Sequence, residues 1–142
     1  MTSGAVLRRP QSEISLFWLI VGVLQLSAAA FFLFRPTAIF WMFNLLPAFL
    51  SRFEAIPEPS EGLGLVMTMT VLVIQASFSL MICFRPKIKI FALLQFLTCT
   101  LQVLGLLYLY AHLNHYLAYL LVMVAQSFLG LMAVVRLGRS PI

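Results

Sequence analysis

Four long apolar stretches dominate the chain, and shorter polar segments separate them. The stretches cover approximately residues 14–34, 63–84, 90–110 and 116–135. At about 1.5 Å per helical residue, each is long enough to cross roughly 30 Å of hydrocarbon. The pattern predicts an all-α integral membrane protein, in which one domain over residues 1–142 forms an antiparallel four-helix transmembrane bundle.

The connections between the stretches differ in length. The segments "RPKIK" and "AHLNH" are tight turns, which make the helices on either side antiparallel neighbours. The first connection is much longer and has two parts. Its apolar, aromatic part, residues 37–53, predicts an interfacial helix broken near Pro47. The segment "EAIPEPSEG" after it is a polar, proline-rich linker.

The aromatic part of the first loop has two interpretations. It anchors the loop in the membrane interface, or it is a docking surface for a partner or a lipid. Long loops with their own apolar face often have a function, and this supports the second interpretation. The residues that would form the docking surface are Phe40, Trp41, Phe43 and Phe49.

Composition places the chain in a lipid environment. Of its 142 residues, 63% are hydrophobic and only 9% are charged, whereas about a quarter of the residues in an ordinary soluble domain are charged. A soluble fold of this size could not bury so much apolar surface, so we expect a bilayer around it. The net charge of +5 does not indicate nucleic-acid binding, because the cations lie at the ends of apolar stretches rather than in a recognition pattern.

The distribution of cations sets the expected orientation. One side, formed by both tails and the turn between the second and third spans, carries Arg8, Arg9, Arg85, Lys87, Lys89, Arg136 and Arg139. The other side carries only Arg35 and Arg52. Positive residues accumulate on the cytoplasmic side of membrane proteins, so we expect both termini in the cytoplasm, or in the matrix if the membrane is mitochondrial. The first span has some features of a signal peptide, but we expect it to remain as a membrane span.

A short phrase occurs twice in the chain. "QLSAAAFFLFRP" (residues 25–36) recurs with changes as "QASFSLMICFRP" (residues 75–86). An arginine follows each glutamine by ten residues; the fourth span repeats this spacing, and in the third a histidine replaces the arginine. Ten helical residues rise about 15 Å, which is half of a bilayer core. The spacing therefore predicts a glutamine at the midplane of each span and interface anchors at Arg35, Arg85 and Arg136.

The midplane glutamines are Gln25, Gln75, Gln102 and Gln126. A side-chain amide that faced lipid without a partner would cost several kcal/mol, so we expect all four to point into the bundle. Each lies on a helical stripe of small or polar residues, which in the third span also contains Gln95 and Gly105. Two interpretations follow: interhelical hydrogen bonding that specifies packing, or a polar path at the midplane.

Residues that could support catalysis or bind a metal are scarce. The chain has no aspartate, and its four glutamates lie in the N-terminal tail or the first loop. The only histidines, His112 and His115, flank a turn without a carboxylate or cysteine on the same side, which makes a poor metal site. Cys83 and Cys99 lie inside apolar spans without a metal-binding or redox spacing. We therefore expect no enzyme activity, no metal and no cofactor.

Three functions remain open. The first is an accessory, structural or assembly subunit of a larger membrane complex, whose partners are the lipid bilayer and other membrane subunits. The second is a small transporter or channel with a glutamine-lined path, although no ionisable residue lies between the interfaces. The third is a lipid-binding or lipid-modifying protein with a site at the turn of His112 and His115. The lack of catalytic groups, the short tails and the aromatic loop favour the first.

Overall fold

The described part of the chain is helical. In the computed structural model the helices are α1 (Arg9–Phe34), α2 (Leu63–Phe84), α3 (Lys89–His112) and α4 (Leu117–Arg139). The structure describes residues 9–37, 63–113 and 115–139, with the side chains of 9–13, 63–65 and 139 excepted. In the first loop it describes Trp41, Asn44, Leu45, Leu50, Phe53 and Ile56.

Each of the four helices is long and apolar enough to cross a membrane. The membrane-length segments are Ile14–Phe34, Val66–Phe84, Lys89–His112 and Leu117–Gly138. The predicted class, an all-helical chain with four apolar helices of membrane length, is confirmed. The fold is compatible with a multi-pass integral membrane protein.

Three helices extend beyond the apolar stretches that predicted them. α1 begins at Arg9, five residues before the first stretch, α3 exceeds the third stretch by one residue at its start and two at its end, and α4 continues to Arg139. Apolarity marks only the part of a helix that suits hydrocarbon, whereas backbone hydrogen bonding continues through polar residues. Pro10 does not interrupt α1, because the first turn of a helix has no intrahelical acceptor for the missing N–H.

A four-residue turn joins α2 to α3. The backbone N–H of Arg85 donates to the Met81 carbonyl at 2.8 Å, and the N–H of Ile88 donates to the Arg85 carbonyl at 3.0 Å. Pro86 occupies the second position of this β-turn, where its fixed φ is favourable and no backbone donor is needed. The predicted end of the second span, at Phe84, agrees with the end of α2.

The helices associate mainly as two pairs. α1 packs along α2, and α3 packs along α4, while α2 and α3 have a smaller contact. The helices of the first pair approach closely at Gly22, where an added Cβ would lie 2.8 Å from Cδ2 of Leu80. In the second pair an added Cβ at Gly130 would lie 3.4 Å from Cβ of Cys99. Small residues at these points permit close packing of the helix backbones.

The bundle buries polar groups and exposes apolar ones. Among the side chains that the structure describes, the buried polar or charged ones are Gln25, Gln75, Ser79, Gln95, Gln126 and Arg136. Leu24, Leu101 and Val124 are more than 60% exposed on three different helices. Such a distribution would be unstable in water but suits hydrocarbon, which solvates apolar side chains and cannot hydrogen-bond amides.

Candidate functional site: the glutamine cluster

The central feature of the bundle is a cluster of four glutamine side chains, one from each helix. They are Gln25 on α1, Gln75 on α2, Gln102 on α3 and Gln126 on α4. All four residues are those that the ten-residue spacing placed at the midplane. The structure brings them together by direct hydrogen bonds between their amides.

Gln75 is the hub of this cluster and is fully buried. Its Nε2 donates to Oε1 of Gln102 and to Oε1 of Gln126, each at 2.9 Å. Its Oε1 accepts from Nε2 of Gln126 at 3.1 Å and from Nε2 of Gln25 at 3.2 Å. A primary amide has two N–H donors and two acceptor lone pairs. Gln75 therefore uses its whole hydrogen-bonding capacity within the bundle.

Two further side chains extend the cluster. Ser79 lies one turn from Gln75 on α2, and its Oγ donates to Oε1 of Gln25 at 3.2 Å. The thiol of Cys99 on α3 lies 3.7 Å from Nε2 of Gln75. The contact with Cys99 was not predicted, because an apolar span with one cysteine carries no signal of such a role.

The cluster links the two helix pairs. The bond between Gln25 and Gln75 lies within the first pair, whereas the bonds from Gln75 to Gln102 and Gln126 connect α2 with α3 and α4. Interhelical hydrogen bonds in membranes average about 0.6 kcal/mol, so their main effect is on the specificity of packing. α2 and α3 share a smaller contact, so these bonds add to the packing that connects the two pairs.

Gln95 is a buried amide that the cluster does not include. Its side chain is 0% exposed, and neither Nε2 nor Oε1 makes a hydrogen bond to any described residue. It precedes Gln102 by seven residues, a helical rise of about 10.5 Å. The indole N–H of Trp18 on α1 is likewise buried and makes no hydrogen bond within the described part of the chain. The sequence placed Gln95 on the same polar stripe as Gln102, but it did not predict that the Gln95 side chain lies apart from the cluster.

The three arginines predicted as interface anchors have different environments. Arg35 and Arg85 are exposed, whereas Arg136 is only 7% exposed. Nη2 of Arg136 donates to the Pro86 carbonyl at 3.0 Å, which ties the end of α4 to the turn between α2 and α3. Pro86 thus lies in the turn that follows α2, and its carbonyl oxygen accepts a hydrogen bond from the buried Arg136.

At the other end of the bundle, where α3 ends and α4 begins, each histidine contacts one tyrosine ring. The His112 ring is tilted by 46° against Tyr108 with ring centroids 4.7 Å apart, and His115 lies edge-on to Tyr110 at 5.1 Å. Both imidazoles are exposed. Within the described ranges, no group of three or more His, Cys, Asp or Glu side chains could hold a metal ion.

The first loop contains a side-chain clamp. Nδ2 of Asn44 donates to the Ile56 carbonyl at 2.9 Å, and Oδ1 of Asn44 accepts from the Ile56 N–H at 2.8 Å. We call this pair the Asn44 clamp. Trp41 precedes Asn44 by three residues and has a helical backbone. Its side chain is 67% exposed. The other three residues of the predicted docking surface, Phe40, Phe43 and Phe49, lie outside the described residues.

A groove of about 170 Å³ lies between α3 and α4, and Gln126 forms part of its lining. Its other walls are mainly apolar, with Ser127 and Thr100 as the hydroxyl-bearing members. Known proteins give no guide to its occupant or to the role of the cluster. No protein-family model, no curated protein and no solved structure matches this chain.

Proposed function

We propose that this protein is a non-enzymatic membrane protein that acts by contact, as an accessory, structural or assembly subunit of a larger membrane complex. In this proposal the four helices cross the bilayer as an antiparallel bundle. Both termini face the cytoplasm or matrix, and the helical part of the first loop lies in the opposite interface. The observation that carries the proposal is the saturation of Gln75 by amides of its own chain.

A saturated amide cluster favours a structural role over a transport role. A polar solute that crosses a membrane needs donors and acceptors that can exchange water for the solute. Both donors and both lone pairs of Gln75 are engaged by other glutamines, so binding a solute there would first break interhelical bonds. The cluster is also neutral, and amides do not transfer protons as carboxylates or imidazoles do.

The first loop supports a role in contact with a partner. Trp41 is 67% exposed, and three residues later the Asn44 clamp joins two points of the same loop. Tryptophan side chains are frequent anchors of protein interfaces. The partner we propose is another membrane subunit, with an apolar pocket at the level of the interface.

The test of the proposal is a native mass after mild detergent extraction from the source membrane, with identification of the co-migrating chains. We expect the protein in a stoichiometric assembly, and we expect Trp41→Ala to release it. Phe84→Ala is the matched control, because Phe84 is 69% exposed but lies beside the turn at the other end of α2. A protein that migrates alone, or release by both variants alike, would contradict the proposal.

The proposed topology has its own test. In a background with both native cysteines replaced by alanine, single cysteines at Ser3, Ser60 and Ser140 are labelled with a membrane-impermeant maleimide. We expect Ser3→Cys and Ser140→Cys to react from one side of sealed vesicles and Ser60→Cys from the other, because four crossings return the chain to its starting side. If the cysteine in the N-terminal tail reacts from one side and the cysteine in the C-terminal tail from the other, the proposed arrangement is refuted.

A small transporter or channel is the second candidate, and Gln95 is the observation that favours it. An amide that is fully buried and makes no hydrogen bond to the described residues has donors and acceptors available for a solute or water. If a polar path passes Gln95, the substitution Gln95→Leu should abolish transport and leave the bundle folded, because it removes no hydrogen bond to the described residues. Retained transport in that variant would eliminate this candidate.

A further inference from the structure

We propose that the end of the bundle that contains Arg136 binds one phosphate group, supplied by the headgroup of an anionic membrane lipid. The site is a crevice between the α2–α3 turn, the first turn of α3 and the last turns of α4. It requires the membrane insertion described above but no protein partner, so a failure of the co-migration experiment would leave it standing.

The crevice has room for a single atom of the size of an oxygen. Its volume is about 10 Å³, which corresponds to about one water molecule. Ile82 and Ala92 form apolar walls, and Lys89 and Arg136 are the cationic members of the lining. A whole phosphate cannot enter, so we expect one phosphate oxygen to occupy the crevice while the others remain at its mouth.

Arg136 is the first reason to expect an anion here. A guanidinium has five N–H donors, and the one hydrogen bond that the described residues provide is from Nη2 to the Pro86 carbonyl. The residue is only 7% exposed, and burial of a cation without an anion is unfavourable. No carboxylate is among the described side chains, because the four glutamates of the chain lie outside them.

The start of α3 is the second reason. Its N-cap residue, Ile88, has an extended backbone and provides no side-chain hydrogen bond to the first turn. The first N–H groups of this 24-residue helix have no intrahelical acceptor, as in any helix, and no capping bond from Ile88, and the helix dipole makes this end positive. Lys89 is the first residue of α3 and also lines the crevice, so a helix N-terminus and two cationic side chains converge there.

Phosphate is the anion that matches this set of donors. Guanidinium groups bind phosphate oxygens in a fork geometry, ammonium groups bind them as point charges, and helix N-termini bind them through backbone N–H groups. The depth points to a lipid as the source. Arg136 follows Gln126 by ten residues, a rise of about 15 Å, which brings it from the midplane to the level of the headgroups.

The experiment titrates full-length protein in a neutral detergent with dioleoyl phosphatidic acid and counts bound lipid by native mass spectrometry. Dioleoyl phosphatidylcholine and inorganic phosphate are titrated in parallel. Arg136→Gln removes the charge but keeps a donor for Pro86, and Arg136→Lys restores the charge. The matched controls are Lys87→Gln, an exposed cation of the same turn outside the crevice lining, and Arg35→Gln at the other end of the bundle.

We expect one phosphatidic acid to bind, and Arg136→Gln to weaken it at least about tenfold, the loss of one charge-assisted contact. Arg136→Lys should recover part of that loss, and both controls should change binding by less than about threefold. If Arg136→Gln does not fold, Lys89→Gln takes its place as the test, and we expect it to weaken binding of phosphatidic acid about threefold or more. Equal effects of Arg136→Gln and Arg35→Gln, or of Lys89→Gln and Lys87→Gln, would overturn the site. If inorganic phosphate displaces phosphatidic acid when the two are present at equal concentration, the phosphate group need not come from a lipid, and the proposed lipid source is refuted.

Discussion

Replacing Gln75 by leucine tests whether one amide holds the glutamine cluster together. Leucine is close to glutamine in volume, so the substitution removes the amide without creating a large cavity. It deletes four hydrogen bonds between amides at once: two from Nε2 to Gln102 and Gln126, and two to Oε1 from Gln126 and Gln25. The weaker contact of Nε2 with the Cys99 thiol is lost as well. The partners that remain are left with unused donors and acceptors.

The expected loss can be estimated from these four bonds. Interhelical hydrogen bonds in membranes are worth about 0.6 kcal/mol on average, so four amount to about 2.4 kcal/mol. Buried amide groups that lose their partners can add to this cost. We therefore expect Gln75→Leu to lower the free energy of unfolding by about 2 to 4 kcal/mol. Gln102→Leu removes a single bond to Gln75 from a half-buried side chain and should cost about 0.6 kcal/mol.

The assay is equilibrium unfolding in mixed micelles of a mild detergent and dodecyl sulfate, followed by circular dichroism. Wild type, both single variants and the double variant form a double-mutant cycle. The double variant should be little less stable than Gln75→Leu, because the bond from Gln75 to Gln102 is already lost in that single variant.

Equal costs for the two single variants would refute the role of Gln75 as the hub. Strict additivity in the double variant would refute the direct bond between Gln75 and Gln102. A Gln75→Leu protein more stable than wild type would mean that burial of the amides costs more than their hydrogen bonds return, and the cluster would then serve something other than packing.

Three further predictions concern packing, the first loop and thiol accessibility. A Cβ at Gly22 would crowd the Leu80 side chain and lie 3.3 Å from the Ala76 carbonyl oxygen, so Gly22→Ala should be less stable than Gly105→Ala, where nothing lies within 4 Å of the new Cβ, by about 1 kcal/mol. Equal unfolding free energies of the two variants would contradict the close approach of α1 and α2. Asn44→Ala removes two hydrogen bonds worth about 1 kcal/mol each, so trypsin should cut after Arg52, which lies between Asn44 and Ile56 in the sequence, about tenfold faster or more. An unchanged cleavage rate would show that the clamp does not restrain the loop. Cys83, half-buried, should react with N-ethylmaleimide before Cys99, which is 1% exposed and should react only on unfolding; labelling of both at one rate would place Cys99 outside the core.

The features that depend on position along one helix could be predicted from the sequence. Runs of apolar residues and a constant rise per residue set the number of membrane-length helices and their ends to within a few residues. The same arithmetic placed four glutamines at one depth and the arginines about half a bilayer away. These properties are local, since they follow from composition and helix geometry without reference to any neighbour.

The features that depend on how the helices face each other were decided by the tertiary structure. The fourfold bonding of Gln75, the exclusion of Gln95 and the burial of Arg136 beside exposed Arg35 and Arg85 all follow from the rotation of each helix about its axis. Apolar residues occupy every face of these helices, so the stripes of small and polar residues indicate the inner side but do not specify which side chains meet there. Contacts with neighbouring helices select those partners, because each amide lowers its free energy only where another helix offers a partner.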